Sequence, residues 1–247
     1  MANDNLKKLI TNKREGHIWK IKEVLQLQFI WYLTLGLLSL ANKYNLPNTP
    51  ELNSFMHYLF GIIIKLLLIA YLIYILLFQH NFSLNRIGLT SNNYLNDLKF
   101  GIKISLPFPI LTIILINLQH QVLDLNQLFQ PLIKITSFNQ LITSFLYFIL
   151  LLFLTLIPAL AIELFYRVII YDFFKERFGR LLGALSSSLY YSIVLLRFEF
   201  GFLLGHFLIG LISIYLYEKN NNIFPSIIWQ SFYQATTILY VFGFHSF

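Results

Sequence analysis

The residues with chemistry to offer are few, and they lie in the second half of the chain. Glu163 and Arg167 stand four residues apart in the run Ala161-Ile162-Glu163-Leu164-Phe165-Tyr166-Arg167. On a helix this spacing puts both side chains on one face, with the acid ahead of the base, the better orientation for pairing. The surrounding run is apolar. A charged pair at membrane depth is costly, so it marks either a functional site or an ion pair that fixes helix register. Gln230 and Gln234 repeat the spacing near the C-terminus. Intramembrane amides there hydrogen-bond between helices or line a ligand site. His206, preceded by Glu199, is the remaining candidate for proton transfer or metal ligation. The plainer reading of a lone histidine on an apolar helix is a hydrogen-bonded core residue.

The other polar marks have plain readings. Lys65 interrupts an apolar run and must face the bundle interior or snorkel to an interface; an acid such as Glu163 is one partner open to it. His57, His80, His120 and His245 flank the apolar runs and suggest no shared site. The many tyrosines and phenylalanines read as lipid-facing and interfacial belt residues.

Composition places these residues in a membrane. Of 247 residues 57% are hydrophobic and only 12% charged, against about 25% charged in a typical soluble domain. Cysteine is absent, which excludes disulfides, iron–sulfur clusters and thiolate metal sites. The net charge of +7 comes from lysines and arginines beside the apolar runs, so positive-inside topology explains it without a nucleic-acid partner.

Apolar runs predict helices over about 24–42, 56–78, 100–118, 140–174, 181–196, 200–217 and 223–243. The first is too long for a signal-peptide core and reads as a retained span. Pro107 and Pro109 predict a kink in the third, and Pro131 opposes a helix in the polar connection 119–139. The fourth run exceeds the membrane thickness, so either Pro158 breaks it or its end projects from the bilayer. The expected fold is all-α: a polytopic bundle of about seven transmembrane helices. With the N-terminus cytoplasmic, about twelve of the eighteen lysines and arginines fall inside and about three outside. No internal repeat supports the inverted halves of a transporter.

From Ile162 to about residue 240 the chain resembles the CPBP family of intramembrane proteases, also called the CAAX-protease or Abi family. The family's Glu-Glu-x-x-x-Arg motif corresponds to Ile162-Glu163 through Arg167, followed by a basic loop from Tyr171 to Arg180. Its Phe-x-x-x-His motif corresponds to Tyr191 through Leu195, after Ser186-Ser187-Ser188. Its His-x-x-x-Asn or Asp motif corresponds to Gln230 through Gln234, after Phe224-Pro225. Arg86-Ile87-Gly88-Leu89 is similar to a lead-in common in the family.

The resemblance implies a CPBP-like core over 140–247, behind an N-terminal membrane region over 1–139 with three helices and a basic cytoplasmic end. It implies an integral protein of a bacterial plasma membrane, with membrane proteins or membrane-associated peptides as partners beside the lipid itself. The family's chemistry resembles metal-assisted peptide hydrolysis, in which a carboxylate takes a proton from metal-bound water. Here only Glu163 and Arg167 match; Ile162, Leu195, Gln230 and Gln234 occupy the other signature positions. Isoleucine and leucine neither move protons nor bind metals, and an amide is a poor zinc ligand. The expectation is therefore a protein that keeps the scaffold as a binding or regulatory module, with no cofactor. Two alternatives stay open: an active zinc endopeptidase of the same family, in which His206 or Glu199 replaces a lost ligand, and a bacteriocin self-immunity or export-accessory protein.

Overall fold

The computed structural model describes residues 18–43, 50–90, 94–106, 138–196 and 198–239. The basic residues 1–17, Pro107, Pro109, His120, Pro131, Arg197, His245, most of the 119–139 connection and the end of the last predicted helix lie outside the described residues, as does the side chain of His57.

All regular structure among the described residues is helical. Helix α1 (Ile21–Lys43) starts where the Lys20 N–H donates to the Glu23 carboxylate at 3.0 Å. Helix α2 (Pro50–Tyr74) opens on a proline, which gives up no helical hydrogen bond there, and ends in a π turn, Ile75–Gln79. The short α3 (Leu84–Ile87) is capped by Ser83, whose Oγ accepts from the Arg86 N–H, and closed by Gly88 in the left-handed region at φ 75°. Helix α4 covers Tyr94–Ser105, starting about six residues earlier than its apolar run suggests.

Helix α5 (Phe138–Glu163) passes through Pro158 without breaking. Near that proline the Thr155 hydroxyl donates to the Leu151 carbonyl at 2.7 Å and meets the Ser231 hydroxyl at 2.8 Å. Local polar groups of this kind are what let membrane helices tolerate proline. The chain then winds as a π-helix over Leu164–Tyr171 and returns to α winding as α6 (Asp172–Ile193). The helix runs on past the fourth apolar run and turns at Gly179 (φ 77°, ψ 178°), in the expected basic loop, a conformation open to glycine almost alone. Gly183 then packs so closely on the Lys175 backbone that a Cβ would stand 2.7 Å from the Lys175 Cα. Helix α7 spans Phe200–Asn220 and stops at Asn221, in the left-handed region. Helix α8 (Phe224–Ile238) has Pro225 in its first turn.

Four stretches among the described residues are long and apolar enough to cross a membrane: Ile21–Leu40, Phe60–Gln79, Ile142–Ile193 and Phe200–Asn220. The seven spans expected from the apolar runs are thus reached only in part. The third stretch contains the Gly179 turn, α4 is described only to Ser105, and α8 is described over 15 residues. Exposed side chains such as Leu146, Leu150 and Phe153 give α5 the apolar outer face that lipid requires.

Helix α8 packs between α5 and α4, α6 lies along α7, and the π segment fits between α2, α6 and α7. One end of the bundle collects the polar termini. Arg177 donates to the Trp19 carbonyl at 2.7 Å, and the Ile18 N–H donates to Glu176 at 3.1 Å. Asn222 donates to Asp97 at 2.8 Å, and the Ile223 N–H to the Gly88 carbonyl at 3.1 Å. These contacts gather segments that the charge pattern assigned to one side of the membrane.

Candidate functional site

The π segment is the innermost part of the molecule: each residue from Leu164 to Tyr171 is buried. Its winding carries Arg167 into the bundle, where the Arg167 Nε lies 3.2 Å from the Glu163 Oε2 and neither side chain has exposed surface. Isolated π turns inside membrane helices occur often at functional sites. The pairing predicted from spacing is therefore present, and Glu163 is engaged by Arg167. Lys65 lies half-buried on α2 and pairs with no acid among the described residues.

An aromatic shell encloses the pair. The Arg167 guanidinium carbon lies 5.7 Å from the Tyr191 ring centre, within reach of a cation–π contact. Tyr191 packs edge-on against Tyr166 at 4.6 Å, and Trp31 stacks on Phe165 at 4.9 Å. The expectation of lipid-facing aromatics is corrected at these positions. Trp31 of α1, Phe165 and Tyr166 of the π segment and Tyr191 of α6 are buried because their rings pack on one another beside the ion pair.

Gln230 reaches this shell from α8, its Nε2 donating to the Tyr191 hydroxyl at 3.4 Å. His206 comes from α7, its ring 5.7 Å from Tyr191 and its Nδ1 3.0 Å from the Phe202 carbonyl oxygen. That is the hydrogen-bonded core histidine of the plainer reading, placed at the rim of the site. Gln234 stands one turn beyond Gln230 and is half-buried. Glu199 is exposed ahead of the first turn of α7, away from the buried pair. Ile162 packs against the apolar core, and Leu195 is half-buried one turn past Tyr191.

Sequence reasoning missed Ser188, Ser213 and Tyr166. The Ser213 hydroxyl neighbours the Glu163 carboxylate. With Ser188 Oγ, the Tyr166 hydroxyl, Gln230 Oε1 and the Arg167 nitrogens, it is buried without a well-aligned hydrogen bond among the described residues. Buried polar atoms are almost always paired, so these groups mark the polar part of an otherwise apolar core. The small residues at 186–188 were the visible signal: the α7 backbone at Gly210 would place a Cβ 3.0 Å from the Ser188 Oγ.

The donor set among the described residues does not fit a catalytic zinc. Among the described residues no three histidine, aspartate or glutamate side chains stand close enough to hold a metal ion. Zinc hydrolases need about three such ligands around an open position.

With this geometry in view, residues 144–236 match the family described as type II CAAX prenyl endopeptidase Rce1-like. The match spans α5 to α8 and so includes the π segment and its ion pair. No curated protein and no solved structure matches the chain.

Proposed function

We propose that the chain is a polytopic protein of the bacterial plasma membrane that uses the intramembrane CAAX-protease scaffold for binding and regulation, without peptide hydrolysis. The observation that carries this reading is the composition of the site. Ile162, Leu195, Gln230 and Gln234 stand where the family places its water-activating acid and its ligands, and the one remaining acid, Glu163, is sealed beside Arg167. A general base must reach the proton it removes, and a paired carboxylate with no exposed surface is poorly placed to do so. The scaffold also keeps amides at Gln230 and Gln234, groups that hydrogen-bond between membrane helices, and half-buried Gln234 is the one nearer a membrane protein or membrane-associated peptide docking on α8. Seven spans with a cytoplasmic N-terminus complete the reading, supported by the gathering of the basic segments at one end of the bundle.

The test is zinc content of detergent-purified protein after mild chelation and zinc re-addition. A parallel sample carries Ile162→Glu, Leu195→His, Gln230→His and Gln234→Asn together. The expected result is no bound zinc in the natural chain and about one per chain in the restored one. Stoichiometric zinc in the natural chain would overturn the reading and bring the endopeptidase forward.

A further inference from the structure

We propose that the groove between α1 and α2, at the polar end of the bundle, holds one anionic phospholipid, with its phosphate on Lys22 and an acyl chain along Leu25, Phe29 and Ile30. The groove has a volume of about 670 Å³, and Gln26 and Tyr71 line it with these residues. Its chemistry is graded along its length. Lys22 lies in the first turn of α1, while Phe29 and Ile30 lie about 10–12 Å deeper at the rise of an α-helix. Tyr71, eight residues before the end of the Ile75–Gln79 π turn, closes the groove at a similar depth. A cation at the interface above an apolar trough matches a phosphodiester above an acyl chain.

Charge selects this occupant over two others. Lys22 is exposed, and no acid pairs with it among the described residues; the neighbouring Glu23 is engaged by the Lys20 N–H and lies 4.0 Å from His80. The chain's own N-terminal segment carries Lys7, Lys8, Lys13 and Arg14 against Asp4 and Glu15, so Lys22 repels it. A second copy docked across a two-fold axis through the groove would set Lys22 against Lys22. An anionic headgroup meets neither objection.

The experiment uses the full chain, delipidated in detergent and titrated separately with phosphatidylglycerol and phosphatidylcholine, with bound lipid counted by native mass spectrometry. One phosphatidylglycerol should bind per chain in preference to phosphatidylcholine. Lys22→Gln should lower its affinity about fivefold and that of phosphatidylcholine less, because the choline cation already offsets the phosphate charge there. Leu25→Trp, which fills the trough from an exposed position, should remove binding of both lipids. Lys99→Gln, an exposed lysine on α4 outside the groove, is the control and should change nothing. Equal binding of the two lipids, or unchanged affinity in Lys22→Gln, overturns the proposal. So does a dimer that Leu25→Trp dissociates, since the groove would then be an interface between copies.

Discussion

The Arg167 Nε lies 3.2 Å from the Glu163 Oε2, both side chains fully buried, at the point where the helix changes from α to π winding. Charge, aromatic packing and the unusual winding coincide there. Removing either charge leaves the other buried without compensation. Glu163→Gln or Arg167→Gln alone is expected to destabilise the protein by about 3–5 kcal/mol. The double variant Glu163→Gln/Arg167→Met should recover a large part of that loss. Thermal unfolding in detergent reads all three; single variants as stable as the natural chain would show that the pair does not hold the bundle together.

Glu218 closes the outer end of the π segment. It accepts from the Tyr171 hydroxyl at 2.8 Å, pairs with Lys175 and meets the Arg180 Nε at 2.8 Å. Arg180 is largely exposed, so Arg180→Ala should cost at most about 1 kcal/mol, an effect that 1 M salt should erase. Glu218→Ala should cost more, about 1–3 kcal/mol, because the Tyr171 hydroxyl loses its acceptor. Unfolding midpoints at low and high salt separate the two.

Gly88 and Gly179 both have positive φ but differ in surroundings. A Cβ on Gly88 would stand 2.8 Å from the Asn222 Cα, whereas one on Gly179 would meet nothing within 4 Å. Gly179→Ala is expected to cost about 1–3 kcal/mol through backbone strain alone. Gly88→Ala should cost more and also loosen the Gly88–Ile223 hydrogen bond that joins the α3 loop to the start of α8. Amide hydrogen exchange at Ile223 should rise in Gly88→Ala and stay unchanged in Gly179→Ala.

The natural chain has no cysteine, so single cysteines report sidedness directly. Arg86→Cys, Arg180→Cys and Lys219→Cys should react with an impermeant maleimide from one face of the membrane. Glu199→Cys, at the far end of α6 and α7, should react from the other. Labelling of Glu199→Cys together with the first three would refute the proposed topology.

Much of this was legible in the residues. The apolar runs located the helices because bilayer thickness fixes the length of a span. The i, i+4 spacing of Glu163 and Arg167 implied their pairing because helix geometry alone places them on one face. The motif order from Ile162 to Gln234 located the family match, which covers 144–236. Helix ends were less exact: α4 starts at Tyr94 because polar residues such as Asn96, Asp97 and Lys99 continue the helix beyond the hydrophobic signal. The Gly179 turn leaves only the signal of a basic loop, because the backbone conformation it needs shows in the sequence as no more than a single glycine.

By itself, the sequence determined that the chain is a helical membrane protein and which polar residues are scarce enough to matter. Those properties follow from composition and from periodicities within one segment. Only the tertiary structure decided that Gln230 and His206 meet Tyr191, whose ring lies beside Arg167, that Ser213 stands beside Glu163, and that Glu199 does not join them. These groups come from α6, α8 and α7, and no single-helix periodicity links one helix to another. Their meeting depends on how the helices cross, and that is set by packing contacts such as Gly210 of α7 on Ser188 of α6, where the absence of a side chain lets two backbones approach.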